Sequence, residues 1–190
     1  MKNSLLLLLL GFFIFASCKK DDSEHGVTNG EKKSIIPLAQ GNEWNYRDIN
    51  FLSDDTTYFS LSISGDTMIG SEHWYKEFYN DSSNYIFAMN KDDGHHFYTN
   101  GNDNLVFKYP ANAGDQFISN DSFDTTIVLN TATMITVPAG QFSCYEYKSL
   151  SGNSGYTLLY VSAEVGIIKI IDYYNGNISY EEELVSYHLE

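Results

Sequence analysis

Tyr58-Phe59-Ser60-Leu61-Ser62-Ile63-Ser64 alternates without a break: Phe59, Leu61 and Ile63 fall on one side of an extended chain, and Tyr58, Ser60, Ser62 and Ser64 on the other. A period of two is what a strand buried on one face requires, and no window after Ser34 shows a convincing 3.6-residue apolar period. The expected fold class is therefore all-β, an antiparallel sheet folded as a sandwich or an open barrel. Working outward, strands are expected at residues 43–51, 72–79, 84–90, 95–99, 104–109, 125–137, 141–149, 156–162, 166–174 and 178–188. Loops rich in Asp, Asn, Gly and Ser separate them, and Asp92-Asp93-Gly94 and Asn175-Gly176-Asn177 read as tight hairpin turns. The run 125–137 contains no turn residue, so it is expected to be one long strand bent at Asn130-Thr131. The run 166–174 is apolar on both faces, with Ile168 and Ile170 opposing Ile167 and Ile171, and belongs in the middle of a sheet.

Aligning prolines exposes an internal repeat. Pro37-Leu38-Ala39-Gln40-Gly41-Asn42-Glu43-Trp44 matches Pro110-Ala111-Asn112-Ala113-Gly114-Asp115-Gln116-Phe117 as P-x-x-x-G-[ND]-x-aromatic, and Asp55-Thr56-Thr57 recurs as Asp124-Thr125-Thr126. Two similar half-domain meanders follow, each with a Gly-Asn/Asp turn and an aromatic that starts the next strand facing inward. Trp44 and Phe117 should then hold equivalent buried positions.

Composition bounds the function. Of 190 residues, 43% are hydrophobic and 19% charged, which argues against disorder. The formal charge is −14 and Arg47 is the sole arginine, so a phosphate backbone would find little to hold, and nucleic acid is excluded as a partner. The start of the chain reads as an address. Lys2 precedes the uncharged apolar run Leu5 to Ala16, too short for a bilayer core of about 30 Å but suited to a signal peptide. Phe15-Ala16-Ser17-Cys18 resembles a bacterial lipobox, which makes residues 1–17 a lipoprotein signal peptide and Cys18 the lipidated residue, a membrane anchor. Lys19-Lys20-Asp21-Asp22 resembles a surface-export signal. Residues 18–33 form the lipidated cysteine and a flexible tether, and residues 34–190 a single all-β domain. The expected location is the outer membrane, lipid-anchored and potentially exposed at the cell surface.

With Cys18 carrying lipid, Cys144 has no intrachain partner, and its strand-like setting suits a small buried hydrophobe. Asp54-Asp55, Asp92-Asp93 and Glu181-Glu182-Glu183 are expected at turns or strand ends in a solvated role. His95 and His96 are consecutive, so on a strand they face opposite ways and cannot share a metal ion; no metal and no cofactor is expected. Asn100-Gly101-Asn102-Asp103-Asn104 is weakly calcium-like but lacks the later bidentate acid, and an Asx-rich turn is the simpler reading. No Gly-x-Ser-x-Gly elbow occurs, and catalytic residues are not expected. The distinctive feature is aromatic: 2 Trp, 15 Tyr and 12 Phe, several in adjacent pairs (Trp74-Tyr75, Phe78-Tyr79, Phe97-Tyr98, Tyr173-Tyr174) that put one ring inward and one outward.

Gly41-Asn42-Glu43-Trp44-Asn45-Tyr46, Val137-Pro138-Ala139-Gly140-Gln141-Phe142 and Val165-Gly166-Ile167-Ile168-Lys169 together resemble a group of uncharacterised Bacteroidetes-type envelope lipoproteins. The resemblance covers residues 35–187 and implies a β architecture, with no substrate or catalytic residue to carry over. Where such relatives often have Pro-Gly before Val-Gly, this chain has Glu164. The expected function is a non-catalytic binding or accessory module for a glycan or a protein. The alternative is a carrier of a lipid-like ligand in an apolar concavity, with a hydrolase less favoured.

Overall fold

The structure, a computed structural model, describes residues 34–80, 83–119, 124–151 and 155–190. The expected signal peptide, Cys18 and the tether lie outside the described residues. The architecture is all-β: β1 (Glu43–Asn50), β2 (Asp55–Ile69), β3 (Glu72–Tyr79), β4 (Tyr85–Lys91), β5 (Gly94–Thr99), β6 (Asn102–Lys108), β7 (Gln116–Ser119), β8 (Asp124–Val137), β9 (Gly140–Ser151), β10 (Gly155–Ser162), β11 (Gly166–Tyr174) and β12 (Asn177–His188). All pairings are antiparallel, in the order β6-β5-β4-β3-β2-β1-β12-β11-β10-β9-β8-β7. The end strands β6 and β7 approach one another without a ladder between them, so the sheet curls into a nearly closed barrel. Each half, β1–β6 and β7–β12, is an up-and-down meander, and the β1–β12 ladder joins them.

The repeated motif builds the same knot twice. The Gly41 N–H donates to the Ile63 carbonyl at 2.9 Å, the Ile63 N–H to the Asn42 carbonyl at 2.9 Å, and the Asn42 N–H to the Ala39 carbonyl at 3.2 Å. In the second half Gly114 donates to Val128 at 2.8 Å, Val128 to Asp115 at 2.9 Å, and Asp115 to Asn112 at 3.1 Å. Gly41 and Gly114 sit at φ +98° and +91°, a conformation that a side chain would oppose, which is why the motif demands glycine. Registers further along agree. Phe78 faces Tyr85 and Lys76 faces Phe87 across β3–β4, as Leu150 faces Tyr156 and Lys148 faces Leu158 across β9–β10.

The halves then diverge. Trp44, 2% exposed, donates its Nε1 proton to the Val165 carbonyl at 2.6 Å. Phe117 has the same place in the motif but is only half-buried, because β7 is a four-residue edge strand paired on one side alone. The expected equivalence holds for position and fails for burial. β8 is long and bent, as its sequence requires: the β8–β9 register shifts on both sides of Asn130, whose Oδ1 accepts from the Thr131 N–H at 2.7 Å and the Ala132 N–H at 3.1 Å. Its far end reaches β12, where the Ala139 N–H donates to the Leu184 carbonyl at 3.1 Å.

Two apolar clusters make up the buried core. One gathers Trp44, Tyr46, Ile63, Ile168 and Leu184; the other gathers Ile35, Ile36, Phe107, Val128, Tyr147 and Val161. Ile35 and Ile36 precede β1, and their segment is bonded to both halves: the Ser34 carbonyl accepts from Glu164 N–H at 2.9 Å, and the Ile36 carbonyl from Asn90 Nδ2 at 2.8 Å. Cys144 is buried as expected, and burial pushes its thiol up to about 12.

Candidate functional site

Register decides which aromatics face solvent. On β3 and β4 the inward set is Tyr75, Glu77, Ile86 and Ala88, continuing through Phe97 and His95 to Phe107. The opposite face of the same strands therefore carries Phe78, Tyr85, Phe87 and Tyr98 as one strip, since Phe78 opposes Tyr85 and Phe87 opposes Tyr98. Ring centroids lie 5.2 Å apart for Phe78–Tyr85 and 5.2 Å for Tyr85–Phe87, and Tyr85 is 45% exposed. Lys76 Nζ stands 5.1 Å from the Tyr85 centroid. Trp74 also faces outward but is roofed by Tyr98, 5.5 Å away, and by Lys91, 5.3 Å from its ring. The strip thus ends in a covered indole, while its middle is open.

An open depression of about 310 Å³ lies beside the strip, lined by Asn45, Tyr46, Tyr58, Phe59, Ser60, Asn80 and Val185. Tyr58 is 68% exposed there, and the Asn80 Oδ1 accepts from the Ser60 N–H at 2.8 Å. Its volume reaches the lower end of the ordinary range for ligand sites, about 300 Å³. An exposed phenol with amide and hydroxyl neighbours can stack on one face of a sugar ring and hydrogen-bond its hydroxyls.

The inward partners of the paired aromatics pack as alternation requires. Tyr79 stacks on Phe59 at 4.8 Å, and Phe59 on Tyr46 at 5.1 Å. His95 and His96 part company: His95 Nδ1 lies 3.0 Å from Asn90 Oδ1, and His96 lies between Asp103 (2.7 Å) and Asp93 (2.9 Å). Burial first, then the neighbouring His96, lowers His95 to about 3, so it is neutral. In the Asn100–Asn104 turn, Asp103 is bonded to Lys91 and His96, and Asn104 Nδ2 donates to Thr99 Oγ1 at 2.8 Å. These contacts give the turn a structural role.

The carboxylates that turn inward are not those the sequence picks out. Glu181-Glu182-Glu183 was expected to be a solvated strand end; it lies within β12 instead. Glu183 is buried against Arg47 and Lys169, and Glu181 pairs with Lys169, all on one face. Glu182 faces the other way, directly opposite Asp48, into the barrel. Burial, then the charges of Asp48 and Asp172, push Glu182 up to about 8, and burial alone pushes Glu77 up to about 7. The signal was present in Asp48 two places after Tyr46, an odd polar residue on an apolar face.

The enclosed cavity between Ile36, Trp44, Tyr46, Leu61, Glu77, Phe97, Gly166 and Ile167 measures about 20 Å³, room for one water molecule.

No protein-family model matches the chain, and no curated protein does either. Among solved structures the fold is similar to a protein inferred to be exported, with a YmcC-like fold, from Bacteroides fragilis NCTC 9343. Its TM-score is 0.54 and its identity 13%, over 83% of this chain and all of that one. It is also similar to a protein inferred to be a lipoprotein from Parabacteroides distasonis ATCC 8503, with a TM-score of 0.52 and 16% identity over 82% of this chain and 99% of that one. At these identities the likeness establishes the barrel-like all-β fold that the two proteins share with this chain.

Proposed function

We propose that this is a lipid-anchored protein of the outer membrane whose β domain is a non-catalytic recognition module for a neutral glycan. The observation that carries the reading is the outer-face strip Phe78–Tyr85–Phe87–Tyr98, with Tyr85 open to solvent, beside the Tyr58 depression. Net acidity disfavours polyanions, whereas stacking and hydroxyl contacts are indifferent to it. Two features speak against rival readings. Among the described residues the enclosed cavity, about 20 Å³, is far smaller than an acyl chain needs. Asp48 and Glu182 stand side by side on adjacent strands, on one wall, whereas glycoside hydrolysis places its carboxyls on opposite sides of the scissile bond. The similar folds of an inferred exported protein and an inferred lipoprotein fit an envelope role, and Cys18 supplies the anchor.

The test is a glycan array and envelope pull-down with residues 34–190, with product analysis of every hit. Binding of micromolar order that is insensitive to salt and weakened by Tyr85→Ala is expected. Hydrolysed product that vanishes on substituting one carboxylate would make the protein an enzyme, and co-purified lipid would make it a carrier. Palmitate incorporation into wild type but not Cys18→Ser tests the anchor, and protease shaving of intact cells tests which way the domain faces.

A further inference from the structure

We propose that Asp48 and Glu182 hold one proton between them across the β1–β12 ladder, so that the joint between the two half-meanders is firm in acid and loosens in alkali. The ladder is the strand pairing that joins the two halves, and these two residues are direct cross-strand partners on its inward face. Side chains so placed have Cβ atoms about 5 Å apart, and two like charges there are destabilising.

Among the described residues the surroundings offer the pair no cation. Asp172 of β11, Glu77 and Tyr79 of β3, Tyr46 of β1 and Tyr180 of β12 are the titratable groups that face it. The only lysine or arginine residues on β1, β2, β11 and β12 are Arg47 and Lys169, and both are engaged with Glu183 on the opposite face. The Tyr180 hydroxyl bonds to Asp48 and Glu182, but one phenol proton cannot serve both carboxylates. Asp48 Oδ1 is buried without a hydrogen-bond partner. A protonated Glu182 supplies the missing donor, turning a repulsive pair into a hydrogen-bonded one.

Burial raises Asp48 as well, and Glu182 ionises near 8 instead of its usual 4.5. An acid raised on folding contributes stability that is complete below its unfolded value and is lost as pH rises through the folded one. The loss therefore spans about 4.5 to 8 and is finished above it. Glu77 titrates in the same window, near 7, and needs its own control.

The experiment is thermal melting of the full chain in detergent from pH 5 to 9.5, for wild type, Glu182→Gln, Asp48→Asn and Glu77→Gln. Wild type should lose several degrees as pH rises, and Glu182→Gln and Asp48→Asn should each flatten the profile beyond what Glu77→Gln does. Profiles parallel to wild type in both pair variants would overturn the proposal. If neither variant folds, hydrogen exchange of wild type decides: protection of β1 and β12 amides should fall more than that of β4 and β5 between pH 6 and 9, after correction for base catalysis. Equal loss in the two regions would overturn it.

Discussion

The two half-meanders share a knot of hydrogen bonds and a strand register, yet they have become different kinds of surface. Where the first half places Phe78, Phe87 and Tyr98 on its outer face, the equivalent positions of the second half hold Leu150, Leu158 and Ile171. Leu158 and Ile171 pack against the apolar cluster that includes Val137, Cys144 and Tyr160, whereas Tyr85 remains open. Tyr156, the counterpart of Tyr85, has one neighbour stacked at 4.6 Å, Tyr173, and Lys148 Nζ at 4.0 Å from its centroid. The duplicated backbone thus leaves Tyr85 open on the outer face of one half and packs Leu158 and Ile171 on that of the other. The backbone hydrogen bonds specify the meander, and side chains on a single face specify its use.

The sharpest way to break that comparison is at the paired aromatics Trp44 and Phe117. Trp44→Ala should cost about 3–5 kcal/mol, the usual range for a buried large aromatic, and Phe117→Ala clearly less, because its strand is an edge. Urea unfolding of both variants checks this. Equal losses would show that the halves are energetically equivalent despite their different burial.

Next in size are the glycines that open β5 and β11. A Cβ on Gly94 would sit 1.9 Å from the Phe107 carbonyl oxygen, while one on Gly166 would meet nothing nearer than Trp44 Nε1 at 3.4 Å. Both have positive φ, so Ala is strained at each, and overpacking adds about 1–3 kcal/mol at Gly94 alone. Denaturation midpoints should fall further for Gly94→Ala; the reverse order would mean that the β5–β6 contact yields more easily than its geometry suggests.

A smaller effect should separate the faces. Tyr85→Ala is expected to weaken glycan binding about tenfold, in line with about 1.4 kcal/mol for a lost stacking contact, and Tyr156→Ala to leave it unchanged. Titration calorimetry on the best array ligand measures both. Loss in the two variants alike would make the platform double.

The least disruptive probe concerns Cys144, which stands where the first half has Glu72, bonded to Lys91. Iodoacetamide should label the thiol slowly in the folded protein and rapidly in urea, since the thiolate is scarce at neutral pH and the sulfur is buried. Fast labelling without denaturant would show that β9 opens readily.

The barrel's strands were legible because a period of two survives any arrangement: Phe59-Leu61-Ile63 had to face one side of whatever sheet formed. β7 alone escaped the alternation, because four residues are too few to display a period, and it was visible only through the repeat. The outward strip was half legible. Adjacent pairs showed that one ring of Phe78-Tyr79 and one of Phe97-Tyr98 turns outward without saying which, and in Tyr85-Ile86-Phe87-Ala88 both faces are apolar, so the sequence does not say which is inside.

The amino-acid sequence by itself determined the alternation, the duplicated Gly-Asn/Asp turns and the bend at Asn130, all of which depend on neighbours within a few residues. Tertiary structure alone decided that Glu182 meets Asp48, that Trp44 is sealed by Val165, and that Tyr85 stays open on the outer face. The physical reason is separation along the chain. Asp48 and Glu182 lie at opposite ends of the sheet's sequence, and only closing β1 onto β12 removes the water that would otherwise screen their charges and leave both ionised.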